Sequence, residues 1–525
     1  MESNKEIKLD INDLYKILKI HDLEILKKYN HTEISDGSYF SYAINSDLIS
    51  NSLNIIVNYL SDNLESAGVD NSCRAIIETL TILAMDDNGD ISKLQKTIYR
   101  YSYALVDLDN HHSILDESTL DKMKKNEFTK IIFEDAEKCK TAIMTYFNCS
   151  KKDLKKRDIE LDNPCFYLKK HINDKIKFSK LIKKYFKNNK KLEEMYNFFS
   201  IFIHPRCEID NNFEEVIMEY RKVYINQVLD IVYNYLKEHN LLYSIGGVTD
   251  FNTDFFYNPL LQNNIHNLKE FENLIHMIKT KLCSLPNGND WFTWSFLERL
   301  KYIIIDMLIS VSLGYTEHVI SNFKPFIETF AVFYDINKND LRDFNYLKEG
   351  YWLSSRLQFE YQLQSIDSRI KDNFKYKAKE LYESYYKEKY HLNSFDYFYD
   401  KLIHNSMYFL SDDKKSFNRY VREVIEELFA DEDMSKKVFT LYRMSKDMGH
   451  ASGYNFNATD NLIRLSSHKV IYSSLCLLLN FVIQGGLTLE EHNISVDLSN
   501  EINFLKALIK LENENIIQTI KQIET

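Results

Sequence analysis

The sequence predicts an all-α chain made of two diverged copies of one helical bundle, arranged as a pseudo-dimer within the chain. Three observations carry that expectation. Among 525 residues there are 5 Pro and 12 Gly; both interrupt helix interiors, and sheets need them at many turns. Apolar residues recur at helical spacing over long stretches. Two short patterns also occur twice, in the same order and at nearly one offset.

Composition narrows the class. A chain of this length exceeds one ordinary core, since domains usually hold roughly 100–200 residues. The 36 Tyr and 33 Phe accompany many Asn, Lys and Ile, a compositional bias that by itself does not mark a base-stacking surface. A net charge of −11 argues against general nucleic-acid binding by the whole chain. Seven Cys form no Cys-x-x-Cys pair, which fits unpaired thiols in a reducing compartment. The first residues, MESNKEIKLDINDLYKIL, lack the basic and apolar regions of a signal peptide. The longest apolar run, Leu475 to Ile483, is interrupted by Asn480 and is too short to span a bilayer. The expectation is a cytoplasmic chain with no membrane partner.

Taken in chain order, the first repeated pattern is RAIIETLTIL at 74–83, matched by KPFIETFAVF at 324–333. Ile-Glu-Thr is common to both, and a basic residue precedes each Glu by four positions. Asp86-Asp-Asn-Gly-Asp90 resembles the start of a calcium loop, but Ile91 and Thr97 stand where its Gly and bidentate Glu belong. It reads as a turn. Asp107, Asp109, His111 and His112 read as a loop without metal-ligand spacing, so no metal and no cofactor are expected. Residues 151–191 hold 15 Lys or Arg against 5 Asp or Glu. Phe166, Tyr167, Phe178, Tyr185 and Phe186 interleave with those charges. Lys183, Lys184, Lys187, Lys190 and Lys191 would attract a phosphate backbone, or form a solvated helix face.

The second pattern is Tyr196-NFFSIFI-His204, matched by Tyr442-RMSKDMG-His450. Ser200 and Ser445 lie between Tyr and His. Glu328 follows Glu78 by 250 residues, and His450 follows His204 by 246. An amphipathic helix runs from Phe213 to Tyr235 after the capping candidates Asp210, Asn211 and Asn212. Ser244 to Asn264 reads as the joint, giving units 1–250 and 251–525. The last strongly apolar helix starts after Asp460, and Gly485-Gly486 is expected to end it. In an antiparallel bundle, Glu78 could face His204 and Glu328 could face His450.

Pro205 and the Ala-Ser-Gly after His450 place both imidazoles near helix C-termini. There the macrodipole favours the protonated ring. One outcome is a capping role; the other is acid/base work, and Arg443 would add a fixed cation for a phosphate. Arg443-x6-His450 near the end of a helix, in a small all-α bundle, resembles the HEPN superfamily. That resemblance implies an RNA-targeting effector, a metal-independent ribonuclease in antiphage defence, with Arg and His meeting across a dimer interface. The implied catalytic set is Arg443, His450 and His204, supported by Tyr442, Ser445, Tyr196, Ser200, Glu78 and Glu328. RNA and an operon-encoded protein are the implied partners. Asn197 stands where the second copy has Arg443, so the two motifs differ. A non-catalytic helical scaffold with structural histidines is the competing expectation.

Overall fold

The computed structural model describes residues 14, 18, 35–61, 63–114, 117–125, 130–150, 166–171, 174, 176–187, 189–203, 211–239, 259–282, 291–313, 316–364, 374–404, 417–429, 431–448, 460–491 and 497–524. Among them there are helices and no strands. The first half contributes α1 (Asp36–Leu60), α2 (Ala67–Asp87), α3 (Lys93–Ile114), α4 (Glu117–Lys125) and α5 (Lys130–Phe147). It continues with α6 (Phe178–Tyr185), α7 (Lys190–Ile203) and α8 (Asn211–Glu238). The second half begins with α9 (Pro259–Leu282), α10 (Trp291–Leu313), α11 (Thr316–Asn337) and α12 (Leu341–Gln364). There follow α13 (Lys375–Leu381), continued by a π-helical stretch at Tyr382–Tyr386, and α14 (Phe395–His404). Last come α15 (Phe417–Leu428), α16 (Glu432–Met448), α17 (Asp460–Glu491) and α18 (Ser499–Glu524).

Local chemistry explains several boundaries. Ser35 caps α1 by accepting from the Ser38 amide, and Ser66 caps α2 by accepting from the Gly68 amide at 3.0 Å. The Asp86–Asp90 segment ends α2 as a turn, with Gly89 at φ 72°, the left-handed value that glycine accepts without strain. Lys96 pairs with Asp86 at 2.6 Å, and Lys184 reaches Asp90 at 2.9 Å. The acidic turn is thus held by lysines.

Three sequence expectations need correction. Gly485-Gly486 does not end the apolar helix, because α17 continues to Glu491. A glycine costs roughly 1 kcal/mol in a helix interior but does not forbid it, and no Pro follows to stop propagation. Asp107, Asp109, His111 and His112 lie on α3 rather than in a loop. The joint drawn to Asn264 overlaps α9, which starts at Pro259, where a missing amide hydrogen costs nothing.

The centre is formed by α2 and α11, which pack against one another. Each is buried on nearly every side over its first four turns, as expected of a helix with no solvent face. Around this pair the halves interlock. Helix α3 of the first half packs on α16 of the second, and α12 of the second packs on α7 of the first. Tyr103, Ala104 and Ile132 join the second half's apolar core, and Phe359 joins the first half's. Helix α17 contains the window Arg464–Gln484, long and apolar enough by length and composition to cross a membrane. It packs against α11 and α18, with Leu465, Ile471, Leu475 and Leu478 buried. The apolar face of a core helix passes the same test.

A buried polar seam joins α1 to α10. Asn58 donates to Asp306 at 3.0 Å, and Ser66 donates to the other carboxylate oxygen at 2.7 Å. Ser310 donates to Asn54, and Asn54 donates to Ser72 at 3.0 Å. Gly68 lies so close to this seam that a Cβ there would sit 2.0 Å from Asp306 Oδ2 and 2.2 Å from Asn322 Oδ1. Neither neighbour can yield cheaply, since both are buried on helices already packed. Gly68→Ala is therefore expected to cost about 3 kcal/mol or more in urea unfolding. Gly37→Ala, which would meet nothing within 4 Å, should leave the midpoint within error.

Candidate functional site

The Glu and Tyr of the two repeated patterns come together in pairs on α2 and α11. Glu78 on α2 is fully buried and accepts a hydrogen bond from the Tyr196 hydroxyl of α7 at 3.1 Å. Glu328 on α11 is fully buried and accepts from the Tyr442 hydroxyl of α16, also at 3.1 Å. Each half thus presents the same contact between the same kinds of helix. Burial, with the Glu328 carboxylate beside it, pushes the Tyr442 phenol well above its ordinary range. The two serines serve their own helices. Ser200 donates to the Tyr196 carbonyl and Ser445 to the Tyr442 carbonyl, each at 2.7 Å.

The basic residues preceding each Glu complete the cluster. Arg74 lies 3.7 Å from Glu78 and also donates to Asn71. Lys324 occupies the matching position on α11, with Glu328, Arg74, Lys446 and Glu78 all within electrostatic reach. Its ammonium forms no hydrogen bond or ion pair among the described residues. The side chain keeps a partly exposed surface, yet burial pulls the ammonium down from 10.5 to about 8. Pro325 follows it inside α11. Proline lacks an amide hydrogen and so removes one helical bond at this point.

The implied catalytic residues divide by position. Arg443 is on α16, partly exposed, one helical turn from Lys446. His204 and His450 lie outside the described residues, just beyond the ends of α7 and α16. Of the lysines upstream of α7, Lys183 pairs with Glu193 at 2.8 Å and Lys184 with Asp90 at 2.9 Å. Lys187, Lys190 and Lys191 are exposed. Among the described residues no group of three or more His, Cys, Asp or Glu could hold a metal ion.

Sequence reasoning missed other buried charges beside this cluster. Arg221 of α8 donates to Asp70 of α2 through Nε at 3.0 Å and again through a second nitrogen. Arg299 of α10 donates to Thr329 at 3.0 Å and to the Phe202 carbonyl at 2.7 Å. No repeat marks either arginine, and only tertiary packing pairs them. Comparison with known protein families, with curated proteins and with solved structures finds no match to this chain.

Two expectations follow from the geometry. Tyr442→Phe removes a donor from a buried carboxylate and should cost about 1–3 kcal/mol. Tyr196→Phe should cost less, because Tyr196 is partly exposed and water can replace its hydroxyl. Urea melts of both variants check the order. The second concerns pH. Below about pH 8 both folded and unfolded chains keep the Lys324 proton, and its contribution is constant. Between about 8 and 10.5 the unfolded chain binds more protons, so stability must rise with pH. Wild type should gain on the order of 1–2 kcal/mol over Lys324→Met across that window, after allowance for partial exposure.

Proposed function

We propose that this chain is a HEPN-like RNA-targeting effector whose two halves share one composite site, with Arg443, His450 and His204 as its reacting groups. The observation that carries this reading is the packing of α2 on α11, which gathers Glu78, Glu328, Arg74, Lys324 and Lys446 into one charge cluster. The Tyr-bearing helices α7 and α16 end beside the two histidines in sequence. A duplicated chain folded in this way would form within itself the interface that the resembled superfamily forms between subunits.

The chemistry would be an internal transesterification. A histidine takes the proton of the ribose 2′-hydroxyl, whose oxygen attacks the adjacent phosphorus. The bond from phosphorus to the 5′-oxygen breaks, and that oxygen leaves with a proton from the second histidine. Arg443 stabilises the charge on the crowded phosphate. The product ends in a 2′,3′-cyclic phosphate, and no metal takes part in these steps.

A second reading, a non-catalytic helical scaffold, is favoured by one specific observation. The Tyr and Glu of each repeated pattern satisfy one another in the interior, and each Ser bonds its own helix. Those residues account for the repeat as packing. The nuclease reading needs Arg443 and the histidines and the scaffold reading does not, so variants at those positions separate the two.

Purified protein incubated with end-labelled RNA in EDTA tests the choice. Cleavage that leaves a 2′,3′-cyclic end, reduced about 100-fold or more in Arg443→Ala and His450→Ala, supports the nuclease. Cleavage unaltered in both folded variants, or none by the wild type, sinks it and leaves the scaffold.

A further inference from the structure

The corner where α6 turns into α7 carries a dense run of one charge. Residues 177–191 hold seven Lys and no Asp or Glu, and the fold sorts these lysines into two sets. Phe178 and Ile182 turn one face of α6 into the core, and the helical spacing puts Lys180, Lys183, Lys184 and Lys187 on the opposite side. Lys184 donates to Asp90 at 2.9 Å and to the Tyr185 hydroxyl at 2.7 Å, while Tyr185 itself donates to Asp90. Lys183 pairs with Glu193 at 2.8 Å. These two lysines fasten α6 to the turn after α2 and to the first turn of α7. Lys177, Lys180, Lys187, Lys190 and Lys191 are exposed and form no ion pair among the described residues.

The corner is also fixed in shape. The Phe186 amide donates to the Ile182 carbonyl and the Asn189 amide to the Phe186 carbonyl, each at 2.8 Å. The Asn189 side chain then caps α7 by accepting from the Leu192 amide at 3.3 Å. Lys187, Lys190 and Lys191 therefore project from a hydrogen-bonded bend. Of the acids alongside, Glu193 is held by Lys183, Asp90 by Lys184 and Tyr185, and Glu194 lies towards Tyr224 of α8. Lysines at the first two positions of α7 oppose the helix macrodipole, so the stability of that helix does not account for them.

We propose that Lys177, Lys180, Lys187, Lys190 and Lys191 form a surface that holds the phosphate backbone of an RNA strand, at the end of α7 opposite His204. Ammonium groups attract phosphates without reading base edges, so the surface accepts any sequence. A protein partner would need an apolar centre to dock, and no large apolar side chain is exposed on α6 or on the first turn of α7. Helix α7 runs 14 residues to Ile203, about 20 Å, and His204 follows in sequence. That length matches about six stacked nucleotides, so the corner holds a stretch of strand remote from the reacting phosphate. The surface rests on the RNA-targeting reading for its occupant, while the attraction itself does not depend on cleavage.

Fluorescence anisotropy with a labelled 2′-O-methyl strand of about 15 nucleotides, which cannot be cleaved through its 2′-oxygen, reads binding alone. Lys187→Gln/Lys190→Gln/Lys191→Gln should weaken binding about tenfold or more at low salt. It should also lower the slope of log affinity against log salt by about 2. Lys269→Gln/Lys506→Gln/Lys510→Gln removes the same charge from exposed positions on α9 and α18 and should change affinity less than about twofold. No binding by the wild type, or equal losses in the two triple variants, overturns the surface. Competition by polyglutamate as strong as by unlabelled RNA overturns RNA as its occupant. Binding lost in the first triple variant, from a chain that never cleaves RNA, keeps the surface and removes the nuclease reading. Cleavage whose kcat and KM ignore the first triple variant keeps the nuclease and removes this surface from it.

Discussion

The fold depends on the polar seam between α1 and α10. Asn58 and Ser66 place a donor on each oxygen of the Asp306 carboxylate, which burial otherwise pushes above its usual range. Each such bond fixes the position of one helix along the other, because sliding by a turn would leave buried donors and a carboxylate unpaired. Apolar faces alone tolerate many registers. Since α2 follows α1 and α11 follows α10 after short connections, fixing the first pair fixes the second. Gly68 then admits the closest approach, and everything at the α2–α11 contact inherits its geometry from there.

That geometry explains how a helix with no solvent face can carry so many charges. Asp70 is answered by Arg221 from α8, although burial still leaves its carboxyl raised. Arg299 spends its donors on Thr329 and on the Phe202 carbonyl, and so ties α10 to α11 and α7. Phe202 in turn packs its ring 4.9 Å from Phe359 of α12 and beneath the Arg221 guanidinium. Removing one member of this set would leave a buried partner unmatched rather than merely lose a contact, which makes the centre stiff.

Much of this was legible in the sequence. The scarcity of Gly and Pro predicted helices, and the amphipathic run from Phe213 to Tyr235 matches α8. The doubled Ile-Glu-Thr and Tyr-to-His patterns contain Glu78, Tyr196, Glu328 and Tyr442, which meet in pairs at the centre. Periodicity could not show that Glu78 and Glu328 each take a tyrosine hydroxyl, because a hydrogen bond over more than 100 positions depends on packing. The same holds for Asn58 with Asp306 and for Arg221 with Asp70, whose residue types look like surface positions in isolation. Gly485-Gly486 misled for a different reason. Glycine marks a helix end when its left-handed freedom is used, as at Gly89, and is merely costly where packing carries the helix onward.

Lys324 shows what the sequence and the structure contribute together. The repeat makes it the counterpart of Arg74, and on that basis alone it would be a partner for the Glu four residues later. In the fold Glu328 accepts the Tyr442 hydroxyl and is still the charge that most favours the Lys324 ammonium, which burial, Arg74 and Lys446 disfavour. The two Tyr–Glu contacts therefore sit in different surroundings: Arg74 lies 3.7 Å from Glu78, Lys324 forms no ion pair among the described residues, and Arg443 and Lys446 stand where the first pattern has Asn197 and Ser200. A symmetric scaffold has no physical need for that difference, since packing is served equally by both versions.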